Sequence, residues 1–312
     1  MNRTSRLPFV LSCLIGISII LGSAARSWSQ DVRFGSKKFT ESVILGELLT
    51  HLARDVGATV EHRKELGGTR VLWGALLNGD IDAYAEYSGT IQQELFAGQG
   101  IETEDQMRAV LEAQGIRMAA PLGFNNTYAI GMREADAERL GIHTISDMKN
   151  HPDLILGFGN EFMDRGDGWP ALKARYELEH KDVRGLDHAL AYRGLESGSI
   201  QVMDMYSTDA EIAYYGLRTL RDDLLHFPTY NASFIYRADL EGRFPKVVGA
   251  IHELSGLIAE DQMIAMNARV KLDKVSDSQV AADFLASAPN HSTCARPAIS
   301  LSGLRRLESK YS

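Results

Sequence analysis

Apolar and polar positions along this chain fall into blocks that alternate between two periods. VRFGS, at 32–36, reads as a short buried strand, and after it Ile44, Leu45, Leu48, Leu49 and Leu52 recur at helical spacing up to Gly57, with Thr40 placed to cap the helix. ATVEHRKEL gives a second strand, GTRVLWGALLNG a second helix and IDAYAEY a third strand, a β-α-β-α-β series whose crossovers are long enough for parallel pairing. A helical stretch around 103–114 then leads into an extended run, FNNTYAIGM. From about residue 134 the alternation starts afresh: LILGFG (154–159) as strand, 168–179 as helix, SIQVMDMYS as strand, DAEIAYYG as short helix. LLHFPTYNASFIYR runs extended through a proline, and 239–288 is almost entirely helical in pattern.

Two α/β units joined by extended segments near 124–133 and 228–237 predict a bilobed body with a cleft between the lobes. Two crossings make one lobe discontinuous, so 31–128 and 232–312 are assigned to lobe 1 and 129–231 to lobe 2. Open α/β sheets bind ligands beyond the carboxyl ends of their strands. That rule bears on IDAYAEYSGT, where an apolar strand ends in a large ring, Tyr87, followed at once by Ser88, Gly89 and Thr90. Tyr128 lies in one connecting segment, Tyr206 ends a strand of the second unit, and Tyr230 lies in the other connection. Four rings facing one cleft would form an aromatic box, which suits a quaternary ammonium group because that group has no donor and is held by the negative faces of rings. Taken singly, each tyrosine is equally a core or rim aromatic with a wet hydroxyl.

The first thirty residues break the pattern. Arg3 and Arg6 precede an apolar run from Leu7 to Leu21, and Gly22, Ser23, Ala24 and Ala25 come next, the layout of a secretory signal peptide cleaved after Ala25 or Ser29. Its apolar core is short for a membrane span, and no later segment is longer. Cys13 sits too early in that run for a lipid-attachment site. Export implies a periplasmic protein, and removal of 1–30 takes three arginines and no acids, moving the net charge from −8 to −11. That sign argues against nucleic acid. Cys294 is then the one remaining cysteine, so no internal disulfide forms.

GSKKFTES, LGGTRVLWGALLNGDIDAYAEYSGT, FNNTYAI, EFMDRGDGW, YSTD and DDLLHFPTYNASF occur in this order. Together they resemble the motifs of the osmoprotectant-binding proteins of ABC importers, which take up glycine betaine, proline betaine, carnitine or choline. The resemblance covers almost the whole mature chain and implies the bilobed periplasmic-binding-protein fold. It implies a cage of Tyr87, Tyr128, Tyr206 and Tyr230, and a carboxylate clamp of Lys37, Thr90 and Arg165, with Asn126 as a further polar contact. Arginine forks onto a carboxylate, lysine adds a point charge and threonine one hydroxyl. Lys37 tilts the expectation toward ligands that carry a carboxylate. The bland alternative has Lys37 solvated and Arg165 paired with Asp164 or Asp167.

HExxH, GxxxxGK[ST], GxSxG and CxxC are all absent from the sequence, and neither a metal site nor a cofactor is expected. The reading is therefore the substrate-binding component of an ABC importer, glycine betaine first, monomeric, partnered by a permease and its ATPase. Choline, carnitine or another small solute in the same role is the nearer alternative. An exported lyase or dehydratase on the same fold is the remoter one, for which Glu86 and Asp209 are the carboxylates beside the tyrosines.

Overall fold

The computed structural model describes residues 31–288. The signal-peptide assignment, Cys13, Cys294 and everything from 289 onward lie outside those residues.

Strands β1 (Val32–Lys37), β2 (Val60–Gly67), β3 (Ala83–Tyr87), β4 (Ile116–Met118) and β10 (Ala232–Arg237) form one sheet in the order β2-β1-β3-β10-β4. Strands β5 (Tyr128–Arg133), β6 (Leu156–Gly159), β7 (Val183–Leu186), β8 (Val202–Tyr206) and β9 (Leu217–Leu220) form a second, in the order β7-β6-β8-β5-β9. The two share one plan. Three strands run parallel, and the strand arriving from the other sheet (β10 in the first, β5 in the second) inserts antiparallel beside the third and pairs on its far side with an edge strand. The chain crosses between sheets after β4 and after β9, and the two crossings touch through an antiparallel bridge between Asn125 and Asn231 and a bond from Asn126 N–H to the Tyr230 carbonyl (3.0 Å).

The helix Thr40–Asp55 buries the five apolar residues that its periodicity marks and also Glu41, Glu47 and Thr50. It is covered all round because it lies against β1 and β2 and against the helices Pro245–Glu253, Glu260–Lys271 and Asp277–Ser287. Its entry differs from expectation: Phe39, extended and without a side-chain cap, precedes the first turn, and Thr40 is already helical. Sequence pattern also passes over β4, β7, β9 and the helix His188–Ser197. The strands are three or four residues long, and β7 exposes its central Arg184 and Gly185, so neither length nor alternation marks it. The largest apolar cluster takes residues from both sheets, Phe34 and Phe234 with Ile130 and Phe158, and includes Tyr87, Tyr128 and Tyr230.

One polar group stiffens the side of the first sheet. Burial would raise the Glu47 carboxyl, but hydrogen bonds from His62 (2.7 Å) and Lys64 (3.0 Å) prevail and hold it at about 2. A depressed folded pKa contributes stability above the unfolded value of about 4.5 and loses it as pH falls from there toward 2. The full contribution is on the order of 3 kcal/mol. Glu47→Gln should therefore flatten the acid limb of a urea-midpoint profile between pH 5 and 2.5, about the window of that titration. A variant whose midpoint falls over that range as steeply as the wild type's would refute the assignment.

Candidate functional site

β1, β3, β6 and β8 end on the same cleft, and the residues at or just beyond each end line it. Lys37 closes β1 and Phe39 comes two residues later; Tyr87 closes β3 and Thr90 lies in the helical turn beyond; Glu161 and Arg165 come after β6; Tyr206 closes β8. The crossings supply Asn126, Tyr128 and Tyr230. These ten residues line a cavity of about 320 Å³, its mouth included. All eight residues singled out from sequence are among them, and Phe39 and Glu161 are additions. Both were within reach of the strand-end rule, since each lies two residues past a strand.

The rings are mutually braced. Tyr128 and Tyr206 are register partners on β5 and β8, with centroids 5.2 Å apart, and Tyr128 meets Tyr230 edge-on at 5.7 Å. Phe39 sits 5.3 Å from Tyr206 and 6.3 Å from Tyr87. Gly89 answers why small residues come after Tyr87: a Cβ there would stand 2.6 Å from the Tyr230 ring. Behind Tyr206 the imidazole of His188 stacks at 4.5 Å, held by Asp209 at 3.0 Å; burial opposes its charge, but Asp209 and Asp204 raise its pKa to about 10.

Charge around the rings is paired within the protein, and Lys37 is buried rather than solvated as the bland alternative had it. Lys37 Nζ donates to Glu86 (2.5 Å) and to Thr69 Oγ1 (3.0 Å). Arg165 forks onto Asp167 through Nε (2.7 Å) and Nη2 (2.6 Å), so of the two bland partners Asp167 is the real one. Neither cation waits for a ligand to neutralise it. Donors nonetheless remain: among the described residues Nη1 and the second Nη2 hydrogen of Arg165 make only long contacts, 3.4–3.5 Å to Thr69 and Thr90 and 3.6 Å from Nη1 to the Glu161 carboxylate, and one Lys37 hydrogen is left over. Asn126 presents a buried oxygen that no donor among the described residues meets. Glu161 would be raised by burial, but Lys37, hydrogen bonds from Thr69 and the charge of Arg165 lower it, so it lines the cavity as an anion. The tyrosine hydroxyls divide. Tyr87 donates to buried Glu41 (2.6 Å) and Tyr230 to Asp167 (2.8 Å), whereas those of Tyr128 and Tyr206 have no protein partner among the described residues.

A family model described as the substrate binding domain of ABC-type glycine betaine transport system matches residues 30–287. The chain is 32% identical over 283 residues to the carnitine transport binding protein OpuCC of Listeria monocytogenes, covering 88% of this chain and 92% of that one. It is 30% identical over 255 residues to the ergothioneine transport permease/ergothioneine binding protein EgtU of Helicobacter pylori, 80% of this chain, which spans about half (46%) of that longer protein. Among solved structures, a glycine betaine/carnitine/choline ABC transporter protein superposes with a TM-score of 0.66 at 28% identity, covering 82% of this chain and 98% of that one.

The split among hydroxyls makes a test that needs no ligand. Tyr87→Phe removes a hydroxyl from a fully buried carboxylate and should destabilise the protein by about 1–3 kcal/mol. Tyr206→Phe should change stability by less than about 0.5 kcal/mol. Urea unfolding reads both, and equal losses would mean that Glu41 does not depend on the Tyr87 hydroxyl.

Proposed function

The chain belongs to the family of substrate-binding domains of ABC-type glycine betaine transport systems, and from that premise we propose that it captures a zwitterionic trimethylammonium solute, glycine betaine first, in the cleft between its sheets. The observation that carries this reading is the convergence on one cavity of a four-tyrosine cage and a set of unused cationic donors. The ammonium head rests against Tyr87, Tyr128, Tyr206 and Tyr230, with Glu161 supplying diffuse negative charge. The carboxylate takes the free N–H groups of Arg165 and Lys37 and the hydroxyl of Thr90. Asn126 offers its oxygen to the methyl groups.

Capture works by population shift. Groups from both sheets meet the ligand only when the cleft is shut, so binding favours the closed form, and the closed form is what a permease recognises. The protein acts in the periplasm as a monomer, after loss of its leader, with a membrane permease driven by an ATPase. No bond in the solute is made or broken. Carnitine, named by one relative, shares head and carboxylate on a longer body and is the next candidate.

A calorimetric panel of glycine betaine, carnitine, ergothioneine, choline and an ordinary amino acid tests the reading. Choline has the head without the carboxylate, so it would leave buried N–H groups unpaired, and glycine betaine should bind at least about tenfold tighter, roughly 1.4 kcal/mol. Thr90→Val should narrow that gap by weakening glycine betaine while leaving choline nearly unchanged. Preference for choline, or equal losses on both, would overturn the clamp. Tyr206→Ala should weaken every trimethylammonium ligand by about 1–2 kcal/mol and Tyr206→Phe by far less, because the ring face does the holding.

A further inference from the structure

The cavity uses Tyr87 as a ring but does not explain what holds its hydroxyl. Glu41, in the first turn of the helix Thr40–Asp55, is buried and forms no ion pair among the described residues. Its Oε1 accepts from Tyr87 Oη (2.6 Å) and Asn126 Nδ2 (2.9 Å); its Oε2 accepts from Thr208 Oγ1 (2.6 Å) and Asn267 Nδ2 (3.3 Å). Those donors come from four places: the carboxyl end of β3, a crossing segment, the loop after β8 and the helix Glu260–Lys271. Asn267 Nδ2 also donates to the Thr208 carbonyl (3.0 Å), which fixes the threonine from its backbone side. Burial pushes the Glu41 carboxyl above its ordinary value, and the hydrogen bonds from Thr208, Tyr87, Asn126 and Asn267 offset part of that rise by filling its lone pairs. Tyr87 and Asn267 lie on the same side of the cleft as Glu41, whereas Thr208 reaches it from the second sheet.

We infer that Glu41 is a positioning residue for ligand capture, holding the Tyr87 ring from behind while taking the Thr208 hydroxyl across the cleft, so that one carboxylate joins the cage to the closed state. The inference rests on the capture reading above. Opening strips one hydrogen bond from a buried carboxylate, and that loss falls on the closed form alone. Encounter takes place on the open form and does not involve Thr208, which does not line the cavity.

Stopped-flow fluorescence with glycine betaine separates these steps. Thr208→Val should raise the dissociation rate about tenfold, the scale of one buried hydrogen bond, and leave the association rate unchanged. Glu41→Gln should act in the same direction and more strongly, with a lower melting temperature as well. A merely structural carboxylate would lower the melting temperature in both variants and leave dissociation alone, and an unchanged dissociation rate in Thr208→Val overturns the inference. A wild type that binds no solute of the panel defeats the capture reading instead. The cross-cleft bond is then judged by energy transfer between dyes on the two lobes of the ligand-free protein. There Thr208→Val must lower the closed fraction, and an unchanged fraction overturns it.

Discussion

A quaternary ammonium group carries charge but has no N–H, so a site that takes it from water must replace its hydration with ring faces and diffuse negative charge. Ring faces are directional, and four of them around one point demand a rigid frame. The doubled sheet plan provides that frame. Tyr206 closes β8 where Tyr87 closes β3, and each sits beside the antiparallel strand that comes from the other sheet, so Ala232 is opposite Tyr87 and Tyr128 is opposite Tyr206. Register thus sets the spacing of the Tyr128 and Tyr206 rings, and the crossings that make two lobes from one chain also deliver Tyr128 and Tyr230 to the cage.

Much of this was legible because the chain writes it in local terms. Parallel strands separated by helices have strong periodicity, and the strand-end rule converts that periodicity into positions for Tyr87 and Tyr206. The same pattern put Tyr128 and Tyr230 in the two connecting segments, whereas Lys37, Thr90 and Arg165, with Asn126 as a further polar contact, came from ordered motifs. What escaped was pairwise and long-range. Phe39 lies within reach of the strand-end rule, but nothing local in KKFTES distinguishes Glu41, bonded to Asn267 at 226 positions' distance in sequence, from an ordinary first-turn acid. Glu161 stands inside the motif EFMDRGDGW, four residues before Arg165, and was not singled out there. Its bond from Thr69 across 92 positions of sequence is what turns it toward the cavity.

The same long-range bonds give closure its physical content. Glu161 accepts from the backbone N–H and the hydroxyl of Thr69, and Arg165 leans toward Thr90, each joining the second sheet's side of the cleft to the first. These polar contacts stand beside apolar ones such as Phe39 against Tyr206, and hydrogen bonds of this kind exchange with water at modest net free energy. A cleft sealed mainly by apolar area would stay shut without ligand. On the capture reading proposed above, polar contacts of this kind would let a bound solute bias the balance between open and closed forms.

Charge then decides which solute tips it best. Lys37 is matched by Glu86 and Arg165 by Asp167, and both cations already approach cage rings, Lys37 over Tyr87 and Arg165 over Tyr128 at 5.5 Å each. These pairs hold the cations in place at low net charge and leave N–H groups without a short partner, among the described residues, on two residues that line the cavity. Glu161 is the carboxylate of the lining without a full partner, 3.6 Å from Arg165 and bonded by the neutral Thr69. A purely cationic solute would satisfy Glu161 and strand the N–H groups; an anion would do the reverse and face an unmatched carboxylate. On the reading proposed above, a zwitterion with a methylated head would satisfy both ends at once and add no net charge to a cleft that sheds water, so closure would proceed without burying an ion that lacks its counterpart.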